Sequence, residues 1–330
     1  MKSIATKVFI LILSLYSIEV FSSERAFERY AAIYHEKLML EKFEELENDA
    51  IEARDKRTTI SDGQPLLAAI YGGVSGCQSL NCNFPKSLAE WQEKELKLKK
   101  WIEKYPDSIT AQVGHAGYYI QLGWFHRGRG YANTVSKKSW VLFKENLEIA
   151  KTLLEGHSEK TKNDAGWNFA MVAIALYQGW PEPKFDELYE KAVSLHPTYI
   201  PVYFLKASYM APKWHGSLEQ FNLYVDNVVQ NTKPTLGHQM YARLHWSSSG
   251  RNLFRSGRTD WNRMKNGFEE LIANYPDLRN INNFAKFSCL AGDTQKLSEL
   301  LGIIGENVLA SAWFNNEEFY NSCVKATQKS

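Results

Sequence analysis

The stretch Trp101-Ile-Glu-Lys-Tyr-Pro106, WIEKYP, is the strongest indication of the fold, because its form recurs twice later in the chain. The same pattern, apolar residues followed by a ring-bearing residue and a proline, occurs at Ala192-Val-Ser-Leu-His-Pro197 and at Leu271-Ile-Ala-Asn-Tyr-Pro276. Proline cannot continue a helix, since it lacks the backbone N–H and its ring clashes with the preceding turn. Each stretch therefore predicts the end of one helix and, directly behind it, the start of the next.

About ten residues beyond each proline the sequence has an alanine, at Ala116, Ala207 and Ala285. Small residues at such positions let neighbouring helices approach closely, which is typical of helix-turn-helix repeats of the tetratricopeptide kind. The prolines stand at positions 106, 197 and 276, so the units do not follow one repeat length. The sequence predicts an all-α protein of tetratricopeptide-like helical hairpins stacked in a degenerate α-solenoid.

Capping residues predict several helix boundaries. Ser87-Leu-Ala-Glu90 and Ser217-Leu-Glu-Gln220 are capping boxes, in which the hydroxyl accepts from the third amide and the third side chain reaches back. Asn315-Asn-Glu-Glu318 is predicted to act in the same way, with Asn315 in the first role. Gly292-Asp293-Thr294 predicts the end of one helix and the start of another. No alternating run of β-branched residues bounded by turns indicates a strand.

The N-terminus predicts export. Lysines precede the apolar run Val8 to Tyr16, and small residues follow at Ser22 and Ser23. This is the pattern of a secretory signal peptide, and the run is shorter than the roughly 20 residues that span a bilayer. We predict a signal peptide over residues 1–23, no transmembrane segment after cleavage, and a periplasmic or extracellular location. An uncleaved anchor is the alternative.

Composition is that of a globular protein. With 44% hydrophobic and 23% charged residues, the chain can bury a sizeable core. We predict a single helical-repeat domain over residues 24–330, with a candidate sub-boundary near 156–164. Lys and Arg number 39 against 37 Asp and Glu, and this near balance argues against a nucleic-acid partner, which would require a basic stripe.

Four cysteines in an exported chain favour disulfides over metal binding or catalysis. Cys77 and Cys82 are close enough in sequence to pair, and Cys289 and Cys323 on late helices could form a second bridge. Three connectivities are open at this stage. A zinc site is disfavoured because the chain lacks two tightly spaced cysteine pairs.

Short motifs follow one another from about Leu38 to Trp313. They are Trp91 with Trp101, Pro106-Asp-Ser108, Gly123-Trp124 with Arg127-Gly128, Phe185 to Pro197, Pro212-Lys-Trp-His-Gly-Ser217 and Tyr241-Ala-Arg243. Together they resemble an uncharacterised bacterial family, catalogued as a domain of unknown function and related to tetratricopeptide-like proteins. The resemblance implies the helical-repeat fold but no activity. His215 and the Cys77 to Cys82 loop depart from the family's pattern.

The stretch Gly123-Trp-Phe-His-Arg-Gly-Arg-Gly-Tyr131 is the main candidate site, and it supports two interpretations. In the first, the planar guanidinium groups of the arginines lie beside aromatic side chains and bind a carboxylate or phosphate. In the second, Gly128 and Gly130 take left-handed conformations that end a helix, while an arginine donates to its last carbonyls. The candidate binding residues here are Trp124, His126, Arg127, Arg129 and Tyr131.

Further candidates lie later in the chain. Trp214 and His215 form a candidate partner-facing pair, whereas Ser217 is predicted to cap a helix rather than to act as a nucleophile. Tyr241 and Arg243 are predicted to line the same groove as the main site. His238 and His245 do not form a metal motif, so no metal and no cofactor is predicted.

The functional prediction is an exported protein or peptide binding scaffold of the bacterial envelope, without catalysis. Curved stacks of helical hairpins leave a long concave surface that suits such partners. The alternative is an envelope enzyme acting on an anionic substrate in an Arg/His pocket formed by Arg127, Arg129, His126 and His215. Such an enzyme would need a carboxylate beside a histidine to tune it.

Overall fold

A computed structural model describes residues 25–77, 82, 85–210, 217–248, 253–254 and 259–328. Within them, sixteen α-helices and two short 3-10 helices make up the regular structure, and Thr59 and Pro65 form an isolated bridge. The all-α prediction is confirmed. The predicted signal peptide, residues 1–23, lies outside this described part. No helix among the residues searched is long and apolar enough to cross a membrane.

Six helices form the first part of the array. They are α1 (Ala26–Met39), α2 (Phe43–Lys56), α3 (Leu66–Ser75), α4 (Leu88–Lys104), α5 (Ile109–Arg127) and α6 (Lys137–Glu155), with a 3-10 turn at Ala132–Thr134 between the last two. α5 packs against α3, α4 and α6, so it is the central helix of this part. The predicted helical hairpin around Pro106 is present, because α4 ends two residues before the proline and α5 begins three residues after it.

The residue types at the α4–α5 hairpin explain its form. On α4, Trp91, Leu98 and Trp101 fall on one face and are fully buried. Ser87 caps α4 by accepting from the Glu90 N–H at 3.3 Å. The Glu90 carboxylate reaches back one residue further than a capping box predicts, since it accepts from the backbone N–H of Lys86 at 2.8 Å.

The middle of the array contains α7 (Glu159–Lys162), α8 (Ala165–Gln178), α9 (Glu182–Leu195) and α10 (Pro201–Tyr209). α8 is buried on most of its sides, which matches its run of alanines and large apolar residues. The candidate sub-boundary near 156–164 corresponds to the short α7. Apolar packing continues across it, and the Trp167 indole donates to the Leu154 carbonyl at 2.9 Å.

The last part contains six helices and a 3-10 turn at Ala310–Trp313. The helices are α11 (Leu218–Leu236), α12 (Gln239–Ser248), α13 (Trp261–Asn274), α14 (Leu278–Ala291), α15 (Thr294–Ile304) and α16 (Glu317–Thr327). Neighbouring helices pack in order along the chain, as stacked hairpins do. Gly292 is left-handed and Asp293 caps α15, as the sequence predicts.

Two further predicted caps have different outcomes. At Ser217 the capping box is complete, because its hydroxyl accepts from the Gln220 N–H while the Gln220 side chain accepts from the Ser217 N–H. The prediction for Asn315 is wrong by one residue: Asn316 caps α16 by accepting from the Phe319 N–H at 2.7 Å. Asn315 has a φ of 49° in the turn before it, so its backbone is not in the extended conformation that a cap requires.

Both cysteine pairs lie at bonding distance. The Cα atoms of Cys77 and Cys82 are 5.6 Å apart, and those of Cys289 and Cys323 are 5.7 Å apart. The second pair joins α14 to α16, so it fixes the C-terminal helix to the rest of the array. Of the three connectivities, the structure selects the one that pairs the cysteines nearest in sequence.

The loop between α2 and α3 connects the two ends of the array. The Asp62 carbonyl accepts from Arg243 on α12 at 2.8 Å and from Asn280 on α14 at 3.3 Å. Ser61 donates to the Asp277 carboxylate at 2.7 Å. In a simple solenoid each repeat contacts only its neighbours. This early loop therefore adds long-range contacts that the repeat pattern does not predict.

Candidate functional site

The end of α5 holds the main predicted site. The Arg127 guanidinium lies between two indoles, 4.9 Å from the ring centre of Trp124 and 4.8 Å from that of Trp140. Gly128 ends the helix with a φ of 70°, and its N–H donates to the Trp124 carbonyl at 2.9 Å. Cation–π contacts of this kind favour one fixed position of the guanidinium.

Arg127 also donates hydrogen bonds to its own loop. Its Nη1 reaches the carbonyls of Gly128 at 2.9 Å and Gly130 at 3.3 Å. Both acceptors lie beyond the helix, so Arg127 itself does not donate to the last helical carbonyls. The prediction of a left-handed Gly130 is wrong: among these glycines only Gly128 has a positive φ, and one such residue is enough to end the helix.

The remaining residues of this stretch face different surroundings. His126 is half-buried, and burial lowers its pKa below the ordinary value, with a smaller contribution from Lys138. Arg129 is exposed, and Tyr131 is 85% exposed. The stretch is thus divided between Trp124 and Arg127, which pack within the protein, and a tip that projects outward.

Trp214 and His215 lie outside the described residues. Tyr241 and Arg243 are buried on α12 rather than presented on a groove. The Arg243 side chain is 4% exposed and donates to the Gln239 side chain as well as to Asp62. The Tyr241 hydroxyl accepts from the Asp260 N–H at 3.0 Å. The predicted candidates therefore do not converge on one accessible surface among the residues that the structure describes.

Histidines do approach carboxylates elsewhere. His115 Nε2 lies 4.0 Å from a Glu95 oxygen that also accepts from the Tyr119 hydroxyl at 2.8 Å. Burial lowers the pKa of His115, although the Glu95 charge opposes the shift.

On α12, His245 is buried and its Nδ1 contacts the Thr259 hydroxyl at 2.9 Å. Within the residues searched, no group of three His, Cys, Asp or Glu side chains could hold a metal ion.

An open groove of about 600 Å³ runs between α9 and α11, with α10 as its floor. We call it the acidic groove. The α9 wall presents three carboxylates one helical turn apart, Glu182, Asp186 and Glu190. The α11 wall presents Leu223, Asn227 and Asn231 at the same spacing.

One cation lies on the floor of the acidic groove. The Lys206 ammonium is ion-paired with Asp186 and lies 5.4 Å and 5.3 Å from the ring centres of Phe185 and Tyr209. Its charge is therefore already satisfied by the protein. The Asn227 and Asn231 amides make no side-chain hydrogen bond with the described part of the chain, and both are exposed.

Sequence reasoning missed the acidic groove although part of its signal was present. Carboxylates at positions 182, 186 and 190 form an obvious stripe, but a stripe of this kind usually faces solvent on a surface helix. The second wall comes from a helix beyond the next turn. Only the packing of α10 beneath both helices turns two exposed faces into one groove.

Comparisons with known proteins add nothing to this geometry: no family model, no curated protein and no solved structure matches the chain. The resemblance to an uncharacterised family stays a prediction that depends on the sequence motifs. The acidic groove has to be interpreted from its own residues.

Proposed function

We propose that the protein is a binding scaffold that holds an extended, positively charged segment of a partner protein in the acidic groove. The observation that carries the proposal is the charge of the walls, where three carboxylates face one ammonium that Asp186 already neutralises. Complementary charge favours encounter with a cationic partner and disfavours anionic ones.

The size and polarity of the groove support a peptide. The lining from Gln220 to Asn231 extends about 16 Å along α11, which matches about five residues of an extended chain. Amide side chains both donate and accept, so Asn227 and Asn231 complement the N–H and C=O groups of a peptide backbone. Leu223, which is 61% exposed, offers an apolar contact beside them.

The contacts of Arg127 favour this function over the enzyme alternative. That alternative needs Arg127 free to bind an anionic substrate, whereas its guanidinium is stacked on two indoles and bonded to two carbonyls. The carboxylate that would tune a histidine lies at Glu95, beside His115 rather than beside His126.

We further propose that the protein works outside the cytoplasm, in the bacterial envelope, and belongs to the tetratricopeptide-like proteins. Two cysteine pairs at bonding distance support export, because disulfides persist in oxidising compartments. The order in which the hairpins stack supports the relationship to repeat proteins.

Fluorescence anisotropy with labelled six-residue peptides tests the binding function. A peptide of alternating lysine and leucine is expected to bind saturably at low ionic strength, whereas the matched peptide of glutamate and leucine is not. The double variant Glu182→Gln, Glu190→Gln is expected to weaken binding of the lysine peptide about three- to tenfold, since each exposed charge contributes up to about 1 kcal/mol.

Glu187→Gln is the matched control, because Glu187 is exposed on the same helix but does not line the groove. It should change the affinity less than twofold. Equal affinity for the two peptides, or an equal loss in the control and the groove variant, would contradict the proposal.

A further inference from the structure

A cavity of about 300 Å³ lies where the α2–α3 loop meets the α9–α10 turn and the end of α11. We call it the arginine cavity. Among its described lining residues are Arg54 and Arg57 but no carboxylate. Threonine hydroxyls, the His196 imidazole and two tyrosine side chains complete its polar surface. Its charge is thus opposite to that of the acidic groove.

Arg57 supplies an unengaged cation. Its guanidinium has no hydrogen bond or ion pair with any part of the chain that the structure describes, and the residue is exposed. It ends α2 in the left-handed conformation, with φ 51° and ψ 40°. Glycine usually occupies such a position because a side chain there strains the backbone. The backbone therefore gives no reason for an arginine.

Arg54 and Tyr199 form the inner wall. Four of the five Arg54 N–H groups are used, in bonds to Asp164, the Ala50 carbonyl, Tyr71 and Thr110. This guanidinium is therefore held in place. Tyr199 is 6% exposed, and its hydroxyl has no hydrogen bond within the described chain. Burial raises the pKa of Tyr199 well above its ordinary value, so the hydroxyl stays protonated and can donate.

We propose that the arginine cavity binds a small organic anion through an oxyanion group, carboxylate or phosphate, held by Arg57 and the Tyr199 hydroxyl. A guanidinium fork matches two oxygens of either group. Leu67, Leu236 and the Tyr275 ring provide apolar wall for the body of the ligand. At about 300 Å³ the cavity is at the small end of ligand sites, so a single ring or a short chain fits.

Calorimetric titration at constant ionic strength tests this site, with phenyl phosphate, benzoate and inorganic phosphate as probes. Saturable binding of phenyl phosphate or benzoate is expected, and the comparison shows which oxyanion the cavity prefers. Arg57→Asn should weaken binding about tenfold or more, because a charge-assisted hydrogen bond contributes about 1.5–3 kcal/mol. Tyr199→Phe should cause a smaller loss.

Arg57→Asn also separates binding from folding. Asparagine tolerates the left-handed backbone better than arginine, so the midpoint of urea unfolding should stay the same or rise. Lys56→Gln is the control, since Lys56 is exposed, pairs with Glu52 and does not line the cavity. No saturable heat with any probe, or an equal loss in Lys56→Gln and Arg57→Asn, would overturn the proposal.

Discussion

Lys94 is fully buried on α4, and its ammonium makes no ion pair with a carboxylate of the described chain. It donates to the Gly73 carbonyl at 2.8 Å and contacts His35 Nδ1 at 2.9 Å. Burial lowers the pKa of Lys94 to about 7 from an ordinary 10.5. Burial, and then the charge of Lys94, lowers the pKa of His35 to about 3.

These lowered pKa values predict a stability that rises with pH. Between pH 7 and 10.5 the unfolded chain binds a proton at Lys94 that the folded chain has lost, so the free energy of unfolding increases across this window. Lys286 contributes in the same window, since burial lowers its pKa to about 7. Each group contributes at most about 1.4 kcal/mol per pH unit.

Lys94→Met should remove about half of this rise, because one of the two titrating groups is gone. Urea unfolding from pH 7 to pH 9 measures the slope below the range in which unfolded tyrosines ionise. Lys104→Met, on the exposed end of the same helix, should leave the slope unchanged. If Lys94→Met kept the same slope of unfolding free energy against pH as the unaltered protein, the buried Lys94 ammonium would not control that slope.

Single residues also show the limit of sequence prediction. The sequence identifies both Arg127 and Arg243 as candidate binding residues, because aromatic residues stand two or three positions from each. In the structure the first is stacked between Trp124 and Trp140, and the second is bonded to a loop that lies 181 residues earlier. The availability of a guanidinium depends on these neighbours, and local sequence does not specify them.

At the scale of the element, α8 depends on one carboxylate. Asp164 Oδ1 caps the helix by accepting from the N–H groups of Gly166 and Trp167, at 2.7 Å and 3.2 Å. The same buried side chain accepts from Tyr71 at 2.7 Å and pairs with Arg54 at 2.7 Å. The cap and the junction between α2, α3 and α8 therefore share one residue.

Asp164→Ala is expected to lower the free energy of unfolding by about 3–5 kcal/mol, because it leaves the partly buried Arg54 charge unpaired. Asp260→Ala is the matched comparison: Asp260 caps α13 by accepting from the Arg263 N–H at 3.0 Å but is exposed. Its loss should cost about 1 kcal/mol, as caps usually do. Urea unfolding of both variants measures the difference, and equal losses would rule out a special role for the buried pair.

At the scale of the whole molecule, the α2–α3 loop ties early helices to late ones. Gly63 has a φ of 83°, and a Cβ at this position would lie 2.5 Å from both the Arg243 guanidinium and the Tyr275 ring. The close approach of the loop to α12 and to the end of α13 thus requires glycine here. Through this contact, the first and last parts of the array of hairpins stabilise each other.

Gly63→Ala should separate the loop from α12–α14 and speed amide hydrogen exchange in those helices. Gly179→Ala is the control, since Gly179 has a φ of 67° but no atom lies near its added Cβ. Gly179→Ala carries only the backbone cost of about 1–2 kcal/mol. Amide exchange in α12–α14 should therefore keep the same rate relative to amide exchange in α8. Identical exchange patterns in the two variants would contradict the role of the loop.

The helices and many of their ends follow from local patterns in the amino-acid sequence. The prolines at 106, 197 and 276, the capping box at Ser217 and the left-handed Gly292 all act through bonds within a few residues. Local interactions of this kind can be recognised in a local pattern, and apolar spacing shows which helix face is buried. They also explain the one-residue error at Asn315, since two adjacent asparagines offer the same cap.

Which helix faces meet depends on tertiary packing. The carboxylates of α9 face the amides of α11 because α10 packs beneath both helices, and Arg57 reaches the same cavity as Tyr199 because the α2–α3 loop folds back on the array. Periodicity shows that a face is buried but not what it is buried against. Both proposed sites are therefore products of long-range packing, which local sequence patterns do not encode.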